Sequence, residues 1–414
     1  LAVERVDAQY VTFAGTVGFM DNAVADAIVP ANLMGLFNSA VTHFQSGGSV
    51  QVKNSGYGNH NNIVTDQAWA ACVPYELHKG VGIKSSAAVT VEPGAKILSG
   101  PGVEIRVFDN ASFSAAGDET NRITFGGLTN TAGAWVGMSF ENTQSDSNRL
   151  SYTVFDSAGD DRYIDPEAAL EIEESSKVRI DNSVFRNSAG HGISVLSDSS
   201  VDISLSNNEF ADNTTAAVRM PPELVGGTAG SSNYGTGEQF EISGGDVVSS
   251  QIWPSCTPYQ VSGQIGVTNQ SRLSIVPGST LAFKGDKGLF VGEGALHMDG
   301  SQALPITLTG VTNVAGSWRG VNYSGPSYRH ENIIDNVTVE YGGDFDWYAG
   351  KNANLNIFDA QVAIRNSAFN YSQEFGIAVN ESTAIVEDCT NVSFAGNATD
   401  VGGSSSELAA GCSN

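Results

Sequence analysis

The chain has 414 residues, 47 of them glycine and 12 proline, and its 45 acidic against 20 basic side chains give a formal net charge of −25. That balance excludes free nucleic acid as a partner, because phosphate binding needs clustered Lys and Arg. It reads instead as solubility, or as carboxylates gathered for a cation. No run approaches the roughly 18 apolar residues that cross a bilayer, so no membrane span is expected.

Residues 1–62 read as the tail of a preceding repeat and a link, and the start at Leu1, with neither Met nor a basic leader, reads as a processed or excised fragment. Ala23 to Phe37 has some helix propensity. Its counterpart over 216–230 carries Pro221-Pro222 and several glycines, so a repeat tail followed by loop is expected in both places. From Ile63 the text is I-V-T-D-Q-A-W-A-A-C-V-P-Y, and it returns from Val247 as V-V-S-S-Q-I-W-P-S-C-T-P-Y. Trp69 and Trp253 are 184 positions apart (253 − 69 = 184), as are Cys72 and Cys256, and Tyr75 and Tyr259. Pro93-Gly94 returns as Pro277-Gly278, and Asn182-Ser183-x-Phe185 as Asn366-Ser367-x-Phe369. A register held this far is a tandem duplication, with copies over 63–246 and 247–414 expected to form one continuous solenoid.

Within each copy the elements are short strands. Val89-Thr-Val91, Val103-Glu-Ile105-Arg-Val107, Ile123-Thr-Phe125 and Val136 to Phe140 alternate with period two. Leu150 to Phe155 reads as one strand, followed by Leu170-Glu-Ile172, Val178-Arg-Ile180, Ile193-Ser-Val195 and Val201-Asp-Ile203. Two-residue hairpin signals are nearly absent, which disfavours an antiparallel sandwich. Coiling the chain so that each strand pairs in parallel with the next turn buries one face of every strand, at roughly 20–24 residues per coil and about eight coils per copy. Asn182, Asn187, Asn207 and Asn213, with Asn366, Asn391 and Asn397, fall where turns need left-handed backbone. Phe185, Phe210, Phe369 and Phe394 are expected to stack beneath them. The fold class is therefore all-β, a right-handed parallel β-helix.

Leu273-Ser-Ile-Val-Pro-Gly278, Gly288-Leu-Phe-Val-Gly292, Pro305-Ile-Thr-Leu-Thr-Gly310, Trp318-Arg-Gly320 and Val337-Thr-Val-Glu-Tyr-Gly-Gly343 make up a recurring phrase. It resembles the bacterial secreted and cell-surface right-handed parallel β-helix repeat proteins, of the pectate-lyase-like superfold. The resemblance covers nearly all of 63–403 and implies the fold and a cell-exterior location. It does not imply one activity, since enzymes and adhesins share this coil.

Enzymes of this fold use acidic clusters, some with Ca²⁺. Two loops fit that description: Asp160 and Asp161 after one strand, and Asp344 and Asp346 at the duplicated place. Hard oxygens on glycine-containing loops suit Ca²⁺, although no EF-hand spacing is present. The bland reading of both loops is a solvated turn. Tyr341, Trp347 and Tyr348, with Arg329 one coil earlier, would offer ring faces to a sugar; Tyr323, Tyr328 and His330 would extend that face. Cys389 and Cys412 are near enough in sequence to pair, the alternative being buried thiols, whereas Cys72 and Cys256 sit too far apart. Two functions follow as expectations. One is a non-enzymatic extracellular or cell-surface structural or adhesion protein that takes a glycan and self-associates through its coil ends. The alternative is a polysaccharide lyase or glycoside hydrolase with a Ca²⁺-assisted acidic site.

Overall fold

The computed structural model describes residues 17–19, 25, 27–37, 42–44, 48–53, 60–160, 167–196, 200–324, 331–344, 351–379, 385–403 and 412. The chain is all-β, with parallel pairing in every described strand ladder, as a parallel β-helix requires. It divides into two compact units, residues 1–219 with 231–238, and residues 220–230 with 239–414. Among the described residues no helix is long and apolar enough to cross a membrane.

Within each unit most coils contribute one strand to each of three sheets. In unit 1 one coil runs Tyr75–Leu77, Gly80–Ile83 and Ala88–Val91. Its counterpart in unit 2 runs Tyr259–Val261, Ile265–Val267 and Arg272–Ile275. Alternate residues of these strands point inward, as in Ile97, Phe125 and Phe155, which are ladder partners and fully buried. Some coils keep the expected spacing, as from Tyr75 to Ile97 (97 − 75 = 22), and others are longer. Thr153 N–H donates to Ser183 Oγ 30 residues on, at 3.1 Å, and Ser183 N–H donates to Asn208 Oδ1 25 residues on, at 3.0 Å. Outward loops of variable length make up the difference, and those loops carry no hydrophobic period to count.

Aromatic rings stack along the interior of unit 1. Phe125, Phe155, Phe185, Phe210 and Tyr234 have successive centroid distances of 5.0, 5.0, 5.5 and 5.5 Å. In unit 2 Phe283 stacks on Trp318 at 4.3 Å, while Phe369 and Phe394 are tilted at 6.3 Å. The corners above are made by Asn182, Asn187 and Asn207, and by Asn366 and Asn391, all at φ of 47–54°. Asparagine tolerates this left-handed region because its amide bonds locally. Asn213 and Asn397 act differently. Each amide reaches back one coil, Asn213 Oδ1 accepting from Ser188 N–H and Asn397 Oδ1 from Ser372 N–H at 2.9 Å, so the corner backbone is not left unpaired.

Three local expectations are corrected. Residues 31–36 and 222–228 are not loops: Ala31–Leu36 is a 3₁₀ helix and Pro222–Thr228 an α-helix. A proline sits where the first turn needs no N–H, and each helix is tied by the same device. Gln67 Oε1 accepts from both the Gly35 N–H, at 3.1 Å, and the Trp69 indole, at 3.2 Å. Gln251 Oε1 does the same for Gly226, at 2.8 Å, and Trp253, at 3.0 Å. The duplicated Gln-x-Trp triplet therefore anchors a helix, a bond between distant residues that propensity cannot show. Leu150 to Phe155 is not one strand but two, Arg149–Ser151 and Thr153–Asp156, in different sheets, with Tyr152 turning the corner at φ 49°. Tyr323, placed by sequence on an outer face, is buried in the interior of unit 2, and burial raises its phenol pKa far above the usual value.

Candidate functional site

The two acidic loops begin with the same bond, Asp160 N–H donating to Trp135 O at 3.0 Å where the duplicated Asp344 N–H donates to Trp318 O at 2.9 Å. Asp160 is half-buried, and its carboxylate accepts from Gly102 N–H at 3.0 Å, holding an earlier turn of the coil. Asp161 and Asp346 lie outside the described residues, as do Arg329, Trp347 and Tyr348, and the neighbours Tyr328 and His330. Among the described residues no three His, Cys, Asp or Glu side chains gather in a metal-binding group. Cys389 and Cys412 are joined by a disulfide, with Cα atoms 5.3 Å apart.

Around Asp160 the structure brings together carboxylates that the sequence reading passed over. Glu104, Asp160, Glu167 and Glu171 line a small, partly open pocket with about 10 Å³ of water-accessible space, room for about one water. Glu171 lies on the outer face of the second sheet in a row running Arg106, Ser139, Glu171, Ser194, Arg219 from rung to rung. Ser139 donates to Glu104 at 2.6 Å, and Arg106 pairs with Glu141. Burial, then the like charges of Glu173 and Glu104, push the Glu171 carboxyl up to about 8. Burial and Glu141 raise Glu173 as well. The duplicated row in unit 2 reads Phe290, Asn322, Asn356, Ala378, Gly402, with Asn356 Nδ2 donating to Asn322 Oδ1 at 2.9 Å. The alternation Leu170-Glu-Ile172 already placed Glu171 outward. Which residues flank it depends on coil lengths that the sequence does not give.

A recess of about 700 Å³ lies in unit 2, on the outside of its first sheet. One wall is the loop with Gly300, Ser301, Gln302 and Pro305; the other is the corner ladder Asn336, Asn366 and Asn391. The ladder is held by amides: Asn336 and Asn366 each donate to Asp335 Oδ1 at 2.9 Å, and Asn391 donates to Asn366 Oδ1 at 3.0 Å. Thr338, Ala368 and Ser393 form part of the floor, continuing an outward row from Thr280 and Thr307. None of the residues lining the recess is titratable. At the other end of the same strands, Val337–Glu340 and Ala368–Asn370, Tyr341 stacks on Tyr371 with centroids 5.1 Å apart. Tyr371 is 44% exposed, so the pair presents ring surface outward. Partial burial, Glu340 and Tyr371 together raise the Tyr341 phenol above its ordinary value.

Compared with known proteins, the chain matches no protein-family model, no curated protein and no solved structure.

Proposed function

We propose that this chain is a non-enzymatic extracellular or cell-surface β-helical protein that acts in adhesion. One observation carries the reading: the outer face of unit 2 repeats neutral hydrogen-bonding groups rung after rung, the Thr280–Thr307–Thr338 row beside the Asn336–Asn366–Asn391 ladder. Amides and hydroxyls on a rigid sheet hold polar partners by many weak bonds. A cell-exterior location is supported by the Cys389–Cys412 disulfide, since such bonds persist in oxidising compartments. Self-association through rung edges belongs to the same reading. The test is retention of the purified chain on polysaccharide-coated and bare surfaces. Retention without release of sugar fragments is the expected result; fragment release would reverse the reading.

A second reading is favoured by Glu171, a carboxylic acid kept protonated to about pH 8 beside Glu104, as a general acid of a glycosidase would be. The pocket beside it holds only about 10 Å³ of water-accessible space, too little to seat a sugar ring, which supports a structural acid. Sugar release abolished by Glu171→Gln would establish the enzymatic alternative.

A further inference from the structure

We propose that the recess on the first sheet of unit 2 is a binding site for a neutral polysaccharide chain, opened there by Pro305 and Asn336 where the duplicated positions of unit 1 hold Arg122 and Tyr152. The two loops align residue for residue, Gly117-Asp-Glu-Thr-Asn-Arg122 against Gly300-Ser-Gln-Ala-Leu-Pro305, and both lead into an Ile-Thr strand. The corners align as Ser151-Tyr152-Thr153 and Asp335-Asn336-Val337. In unit 1 the Arg122 guanidinium lies over the Tyr152 ring at 5.4 Å, and its Nη1 donates to Asn182 O at 2.7 Å, so the space between loop and corner is occupied. Proline and asparagine are too short to span it, and the space beside them in unit 2 is the 700 Å³ recess.

The lining selects the ligand class. Side-chain amides and hydroxyls supply both donors and acceptors, as sugar hydroxyls require. Pro305 and Ala368 supply apolar contact for the faces of the rings. An anionic polymer finds no cation in the lining, and it meets the Asp335 carboxylate behind the ladder and a chain of net charge −25. The ladder repeats its amide at every rung, about 4.8 Å apart, which suits a polymer lying across the strands better than a single compact molecule.

This inference rests on the adhesion reading and can fail separately from it. The intact chain is titrated calorimetrically with laminarihexaose, cellohexaose and mannohexaose as neutral probes, and with hexagalacturonate as the anionic one. Binding of at least one neutral probe is expected, weakened tenfold or more by the double substitution Pro305→Arg/Asn336→Tyr, which rebuilds the unit 1 filling. Ser393→Arg, at an exposed floor position, gives the same loss without touching a corner, so a folding failure of the double variant leaves the test intact. No binding of any neutral probe up to roughly 10 mM, binding indifferent to Ser393→Arg, or tighter binding of hexagalacturonate would each overturn the site. Cleavage of a bound probe, read by mass spectrometry, would instead keep the site and remove the adhesion reading.

Discussion

Tyr152 and Asn336 stand at the same corner of the duplicated coil and do opposite things. The interior beneath them is alike: Thr153 N–H donates to Ser183 Oγ at 3.1 Å, and Val337 N–H donates to Ser367 Oγ at 3.1 Å. The exterior differs, closed by Arg122 over Tyr152 in one unit and open beside Pro305 and Asn336 in the other. The outer rows of the second sheets differ as well, with ionisable Arg106 and Glu171 against Phe290 and Asn356. Close packing holds inward positions to a few shapes, whereas an outward side chain can change without disturbing the coil. Duplicated interiors with divergent exteriors are where distinct functions of the two units would be sought.

Several substitutions sharpen that contrast. The largest effect belongs to the shared interior. Phe155→Ala removes a ring stacked on both sides within unit 1 and should cost about 3–5 kcal/mol, read by denaturant unfolding. Phe369→Ala, whose ring stacks less regularly, should cost less within that range. Next comes the helix anchor. Gln251→Ala orphans the Gly226 N–H and the Trp253 indole and also loses the Nε2 bond to Glu223 O at 3.2 Å, and should cost about 1–3 kcal/mol, with Gln67→Ala costing less within that range in unit 1. The Oε1 half of the device is duplicated and the Nε2 half is not, so a cost at Gln67 above that at Gln251 would break the comparison.

The outer rows should differ in pH dependence. Glu171 has a folded-state pKa raised from 4.5 to about 8. The stability it contributes is therefore fully present below about pH 4.5 and is lost as pH rises through 8, since ionising it in place costs more than ionising it unfolded. Glu171→Gln should remove that slope and stabilise the protein at pH 8 by roughly 1–3 kcal/mol, with little effect at pH 4. Asn356→Ala, in the neutral row, should lower stability equally at both pH values. Thermal melts across pH 4–9 would check both. The smallest effect is expected at Asn391→Ala, about 1 kcal/mol, from one ladder hydrogen bond and a left-handed corner that alanine adopts less readily.

Much of the fold was legible because its signals repeat. Period-two strands, the Pro-Gly turns that place Gly94 and Gly278 at φ 84° and 82°, and the recurrence at 184 residues all point to parallel coils. What escaped were contacts whose partners are set by coil length. Gln67 and Gln251 were read only as part of the repeated text, because the helices they hold lie 32 and 25 residues upstream. The alternation from Leu150 to Phe155 places Tyr152 within a strand, while the corner puts it at φ 49° with Arg122 over its ring. The recess itself is a difference between two copies. It lies in the text as Arg122 against Pro305 and Tyr152 against Asn336, yet only the packing shows that the first pair fills the space that the second leaves open.

The most direct measurement is amide hydrogen exchange of the intact chain with and without a bound neutral hexasaccharide. Added protection confined to residues 300–310, 336–340, 366–370 and 391–395 is expected. Protection appearing equally over 117–127, 151–156 and 182–186 in unit 1, or in neither unit despite measurable binding, would contradict a binding face that belongs to one copy of the duplication.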